Sequence, residues 1–275
     1  MRSIKFNLLP APEVLKNDVE CFRIAEYTGE EGLAIKVVPN GAPGIVFQHH
    51  NGQSVIENIV TPSAITSVPT LFVYGAGTEP SVMNYHKGSS TTIQVILKPH
   101  ALKTLLGINA SVLTNGSAEL HEFSAENLNI QLIEASNEQE RITLLTRFLV
   151  TRLQQANARD TLVEESLRLI HHNMGSINVK YLLDYLNISE RQFERRFTQT
   201  VGLSPQSYIR VKRFNEAIRL IKTQQFEKLT DIAYALNFYD QSHFIRDIKA
   251  YSGITPKSLS QLNDFHHDLV GYAYV

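Results

Sequence analysis

The sequence predicts an α+β protein. A β-rich first domain over residues 1–157, a curved sheet or partial barrel with helices, precedes an all-helical domain over 158–262 and a tail over 263–275. Three observations carry this division. Up to about residue 120, short β-branched or aromatic runs alternate with turn residues. From Ser124 onward, apolar residues recur at helical spacing. One pattern of residues then occurs twice in the last third of the chain. A chain of 275 residues with 43% apolar and 19% charged residues suits two soluble globular cores.

Residues 12–17 suit a short helix, and strands are expected over 44–48, 54–60, 70–74 and 91–97. Asn51-Gly52 between two such runs is a hairpin signal. Residues 97–107 read as a strand running into a short apolar helix. Asn137 and Glu140 frame a capping box for a helix with Ile142, Leu145, Phe148, Leu149 and Leu153 on one stripe, and Arg141, Arg147, Arg152 and Gln154 on the exposed side. That stripe fits either a dimer seam or packing on the protein's own sheet. Residues 156–160 are the expected hinge, and Thr161 with Glu164 starts the next helix.

The repeat begins at Phe193 (F-E-R-R-F-T-Q-T-V-G-L-S-P) and again at Phe244 (F-I-R-D-I-K-A-Y-S-G-I-T-P). Both copies fit F-x-R-x-(F/I)-x4-G-(L/I)-(S/T)-P at an offset of 51 residues, and each is preceded by a short apolar helix pattern closing on Leu-Asn. Phe193 with Phe197, and Phe244 with Ile248, share one helix face. Arg195 and Arg246, rotated roughly 200° from the first aromatic, point away from it. Ser189, with Gln192, and Asp240 are placed to cap these helices. Gly202 and Gly253 suit a left-handed stop, and Pro205 and Pro256 suit the first turn of the next helix. Each copy is therefore a helix-turn-helix unit.

On these residues, 182–259 resembles the DNA-binding domain of AraC-type transcription regulators, most specifically in I-A-Y-A-L-N-F-Y-D-Q-S-H-F over 232–244. Where that family usually has glycine this chain has Asn237, which also tolerates a positive φ. The resemblance covers roughly a third of the chain. P-N-G at 39–41, the 45–47 strand and residues 97–107 more weakly resemble the sensing or partner domain of one branch of that family.

The resemblance implies base contacts from Arg191, Glu194 and Arg195 in the first unit and from Gln241, Ser242, His243 and Arg246 in the second. Arginine matches the two acceptors of guanine, glutamine matches adenine, and a carboxylate accepts from the cytosine amino group. Glu194 equally suits an intrahelical pair with Arg191, and Ile245 offers only methyl contact. Gln192, Arg196, Arg210, Arg213 and Lys249 are the candidate phosphate contacts. Residues 205–222 form a connector of roughly 27 Å, against major-groove openings about 34 Å apart on one face of DNA. One chain thereby presents two readers to adjacent grooves.

Charge supports this only moderately. Residues 1–160 hold 12 Lys and Arg against 15 Asp and Glu, while 161–275 hold 14 against 12. Between Arg191 and Lys222 eight basic residues face two acidic ones, a footprint for a polyanion. The single cysteine, Cys21, excludes an internal disulfide and suits a small core residue in a reducing cytoplasm. His49 and His50 are adjacent, so they point to opposite sides of a strand and only one can face an interior site. No phosphate-cradling glycine loop, nucleophile elbow or metal-spaced Cys/His cluster is seen, and neither a signal peptide nor a membrane span is expected from the short, broken apolar runs.

The expectation is a cytoplasmic bacterial regulator that binds double-stranded DNA and is no enzyme, with no metal and no cofactor. RNA polymerase, a small-molecule effector and a second copy of the chain are the further partners it admits. The strand pattern does not identify effector-holding residues, because it does not reveal which face is inside. The alternative is an effector-binding or enzymatic barrel whose helical part is only an interaction module.

Overall fold

The structure is a computed structural model and describes every residue except 1–2, 29–30, 124, 126, 157–158, 224–225, 227, 263–264, 267–270 and 275. The first domain carries β1 (Ser3–Pro10), β2 (Val19–Thr28), β3 (Leu33–Val37), β4 (Gly44–Gln48) and β5 (Ile56–Val60). It continues with β6 (Ile65–Thr66), β7 (Leu71–Tyr74), β8 (Ser81–Tyr85), β9 (Ser90–Leu97) and β10 (Ser117–Glu119). One antiparallel sheet has the order β1-β2-β9-β4-β7-β10, and a second contains β3-β8-β5-β6.

The strand period separates two cores. In the first sheet, Ile45, Phe47, Val73 and Val95 face α1 (Ala101–Leu106), α2 (Leu128–Glu134) and α3 (Glu138–Gln154). Val46 and Phe72 point the other way, onto Leu33, Ile56 and Tyr85 of the second sheet region. Every residue of β4 is therefore buried, which is why it reads as an apolar run up to Gln48.

Several expectations change form. Asn51 and Gly52 both have positive φ (51° and 77°), as the hairpin signal demands. They are framed by a single bridge between His50 and Gln53, after which the chain parts, β4 to one sheet and β5 to the other. Buried Gln48 bridges that divergence, accepting from the Val55 and Ile56 amides and donating to Ser54 Oγ and the Pro69 carbonyl. The helix expected over 12–17 is one 3-10 turn, Glu13–Leu15.

Asn137 caps α3 through the Glu140 amide, and Glu140 reaches back to the Ser136 amide. The α3 stripe packs on its own sheet, with Ile142, Leu145 and Leu149 buried. Arg141 and Arg152 are not on an exposed face as expected: they donate to the carbonyls of Leu132, Ala135 and Leu105, the last turns of neighbouring helices.

The helical domain comprises α4 (Thr161–His172), α5 (Val179–Leu186), α6 (Glu190–Val201), α7 (Pro205–Lys222), α8 (Leu229–Ala235), α9 (Gln241–Ser252) and α10 (Pro256–Gln261). Its core gathers Phe193, Phe197, Phe214, Phe244 and Ile248, all fully buried, and also takes in Val38 and Ala76 from the β-rich part. Of the expected hinge, residues 157–158 lie outside those described. Arg159 is pinned to Asp18 and Glu164, and Asp160 caps α4 and pairs with Arg196.

The expected tail contributes two strands. β11 (Phe265–His266) pairs with β12 (Gly271–Tyr274), and β12 pairs antiparallel with β3, setting Gly271 opposite Val37 and Tyr274 opposite Ala34. The second sheet thus runs β11-β12-β3-β8-β5-β6.

Candidate nucleic-acid interface

The two helix-turn-helix units are α5–α6 and α8–α9. Each turn needs a left-handed residue, supplied by Asn187 (φ 48°) in the first and Asn237 (φ 55°) in the second. Asparagine is the side chain that adopts this region most readily after glycine. The Asp240 carboxylate caps α9 by accepting the His243 amide at 2.6 Å. Ser189 occupies the N-cap of α6 in extended conformation, but its hydroxyl makes no capping hydrogen bond, contrary to the expected box with Gln192. Gly202 and Gly253 close α6 and α9 at φ 89° and 76°, and Pro205 and Pro256 open α7 and α10.

The buried faces fix how the helices lie. Phe193 and Phe197 meet edge to face at 5.5 Å, and Phe197 continues onto Tyr208 of α7 at 5.7 Å. In the second unit Phe244 packs on Phe238 at 5.2 Å, while Phe214 of α7 meets Tyr251 at 5.0 Å. The 18-residue α7 therefore serves as a common floor for both units.

Against that floor, Arg191, Gln192, Glu194 and Arg195 stand exposed on α6, and Gln241, Ser242, Arg246 and Lys249 on α9. His243 is half-buried, its ring on Phe238 and its Nε2 3.7 Å from Asp247. Ile245 is partly buried against the helical core, so it adds little to the exposed face of α9.

Three of the candidate phosphate contacts are engaged by partners within the protein, although Arg210 remains exposed. Arg196 forms a two-pronged pair with Asp160 at 2.6 and 3.0 Å, tying α6 to the start of α4. Arg210 donates to the nearly buried Asp247 at 2.9 Å, tying α7 to α9. Arg213 donates to the Ile177 carbonyl at 2.7 Å, ahead of α5, and burial pulls its pKa down. Burial alone would raise the Asp160 carboxyl, but hydrogen bonds from Arg196 and the Val163 amide hold it below the usual range.

Sequence reasoning missed these pairs, although one signal was available. Arg196 and Asp247 occupy the same place in the two copies of the repeat. A position that holds opposite charges in two copies of one fold points to a partner on another element. Exposed Tyr234 and Tyr239, beside the second turn, were likewise given no role from sequence.

A cavity of about 200 Å³ lies between the two sheets, lined largely by apolar side chains such as Phe6, Val46, Phe72 and Met83, with Arg23 and Gln94 bonded to each other on its wall. No cluster of metal-ligating side chains and no helix long and apolar enough to cross a membrane is found among the described residues.

Residues 182–261 match the family described as a helix-turn-helix domain, and residues 7–119 match one described as a domain of unknown function (DUF6597). The HTH-type transcriptional activator RhaS of Escherichia coli (strain K12 / DH10B) is 29% identical over 93 residues, 34% of this chain and 33% of the relative. The match thus spans about a third of the length of such curated relatives. Among solved structures, ToxT from Vibrio cholerae aligns over 95% of this chain and 99% of its own at 13% identity and a TM-score of 0.48. An AraC-type DNA-binding regulator from Chromobacterium violaceum aligns over 36% of this chain and 89% of its own, at 28% identity and a TM-score of 0.33.

Proposed function

We propose, from the premise that residues 182–261 form an AraC-type helix-turn-helix domain, that this protein is a sequence-specific transcription regulator under the control of its β-rich domain. One observation carries the reading. Two helices of twelve residues, α6 and α9, present exposed polar and cationic faces and are braced on one connector. The connector is roughly 27 Å long, which with the width of the units suits neighbouring major grooves about 34 Å apart. A single chain then reads two half-elements, and a second copy is not required.

In this reading Arg191, Glu194 and Arg195 read one element, and Gln241, Ser242 and Arg246 the other, with His243 at the edge of the second. Gln192 and Lys249, both exposed, serve as the phosphate contacts. Arg196, Arg210 and Arg213 brace the helices that carry the readers. The β-rich domain holds a small effector in the cavity between its sheets, and RNA polymerase is the partner on which the bound regulator acts. The site of action is the cytoplasm, and no catalytic step is assigned.

The test is selection of genomic DNA fragments by the full-length protein and by Arg195→Ala/Arg246→Ala. Wild type is expected to enrich a motif of two elements about one helical turn apart, with an affinity that falls steeply with salt. Each arginine lost costs about 1–3 kcal/mol of base discrimination, so the double variant should lose the motif. Equal, unspecific recovery by both proteins would overturn the reading.

A further inference from the structure

The first sheet has a second pocket, on the face turned toward α3 and away from the cavity between the sheets. Strand register builds it. Glu26 of β2 stands opposite Thr91 of β9, and Phe47 of β4 stands opposite Ile93. Cross-strand partners point to one side, and so do residues two apart. These four therefore share one face, which His49 extends just beyond β4. The first turn of α3 roofs the patch with Glu138 and Arg141, enclosing about 320 Å³.

The inner end of this pocket holds a hydrogen-bonding conflict. His49 Nδ1 lies 3.4 Å from the Gly52 amide, and Nε2 lies 3.2 Å from Arg141 Nη2. Both neighbours are donors. Burial, and then Arg141 and His50, pull the His49 pKa down, so the ring is neutral and carries a single N–H. Whichever nitrogen holds that proton, it points at another donor. Arg141 also has donor capacity to spare. Its Nε and Nη2 donate to the Leu132 and Ala135 carbonyls, but the carboxylate nearest Nη1, Glu138, is 3.6 Å away, beyond hydrogen-bond length.

A negative charge stands ready on the other side. Glu26 has no ion-pair partner among the described residues, although Lys5 faces it on β1. Two strand spacings put β2 and β4 roughly 10 Å apart. Side chains reaching inward from each narrow that span to the few ångströms between the two charges of a free amino acid.

We propose that this pocket binds a small dipolar molecule with a carboxylate and an ammonium group, the chemistry of a free α-amino acid. The carboxylate accepts from Arg141 Nη1 and His49 Nε2, which leaves Nδ1 to accept from Gly52 and removes the conflict. The ammonium group donates to Glu26 and Glu138. The site is separate from the cavity between the sheets, and it owes nothing to the reading that α6 and α9 bind DNA.

The test is isothermal titration of the full-length protein with each of the common L-amino acids. The best binder is then compared with the amine that lacks its carboxylate and the acid that lacks its ammonium group. Either is expected to bind about tenfold more weakly or worse, the value of one charge-assisted hydrogen bond. Glu26→Gln, at an exposed position, should weaken the amino acid by a similar factor and leave the acid unchanged, while His49→Ala should weaken both. Nitrogen NMR of the bound protein should find the His49 proton on Nε2.

The proposal is overturned if no amino acid binds at millimolar concentration. It is overturned equally if cooperatively melting Glu26→Gln and His49→Ala proteins bind as wild type does, since the ligand then sits elsewhere. Should His49→Ala not melt cooperatively, Glu26→Gln decides alone. An acid that binds as tightly as its amino acid rejects the dipolar class.

Discussion

Gly202 and Gly107 separate two demands that a glycine can meet. Both have positive φ, 89° and 68°. At Gly107 an added methyl group meets nothing within 4 Å, whereas at Gly202 it meets the Ala110 carbonyl. Gly107→Ala should therefore cost only the left-handed strain of about 1–2 kcal/mol. Gly202→Ala should cost more, because the close approach between α6 and the residues around Ala110 is lost as well. Denaturant unfolding of the two variants tests this, and equal losses would show that the contact at Gly202 contributes nothing. Asn237 belongs to the same class of position: its φ of 55° agrees with reading it as a tolerated substitute for glycine.

At the scale of elements, the pairs of Arg196 with Asp160 and Arg210 with Asp247 tie α6 to the start of α4 and α7 to α9. Arg210→Met leaves a nearly buried carboxylate with His243 and Arg213 as its charged neighbours. Since the guanidinium is half in solvent, the stability loss should be modest, about 1–2 kcal/mol. The loss in DNA affinity should exceed what one missing phosphate contact gives. If affinity falls but its salt dependence stays unchanged, Arg210 is a brace; a shallower salt dependence would make it a phosphate contact.

Legibility also differed by element. β4 was readable to its boundaries because both of its faces are covered and all its residues are apolar or small, save Gln48. β3 and β8 were not, because they lie over the cavity with most residues only half-buried, which leaves no strong alternation. β2 hides its period by turning Arg23 and Ala25 into the cavity, on the face opposite Phe22 and Ile24. In the helical domain the repeat carried glycines, prolines and apolar faces together, so its elements and outward residues were visible. The braces were not, since a charge pair such as Asp18 with Arg159 joins residues too far apart in sequence for local pattern to reveal.

Across the whole molecule, the junction between the two parts is rich in ion pairs. Asp18 is fully buried; burial pushes its carboxyl up, but His100 and Arg159 outweigh this and hold it below the usual value. Asp160 is also held low, by Arg196. A carboxyl lowered on folding adds stability that is fully present above the ordinary aspartate value near 3.8, and loses it as pH falls through the folded value. Thermal stability should therefore decline below about pH 4, and Asp160→Asn should lower the neutral-pH plateau while flattening that decline. An acid limb of unchanged steepness in Asp160→Asn would remove this pair from the account.

The pairing of β12 with β3 makes the helical domain an insertion within a sheet, since its two ends are joined to strands of the same β-rich body. The two parts are consecutive in sequence yet interleaved in construction. A fragment cut at residue 157 would lack the strand that covers β3 and would expose a bare row of backbone donors and acceptors, the surface on which sheets of separate molecules join. For this chain, a domain boundary drawn along the sequence is a poor guide to where the protein can be divided.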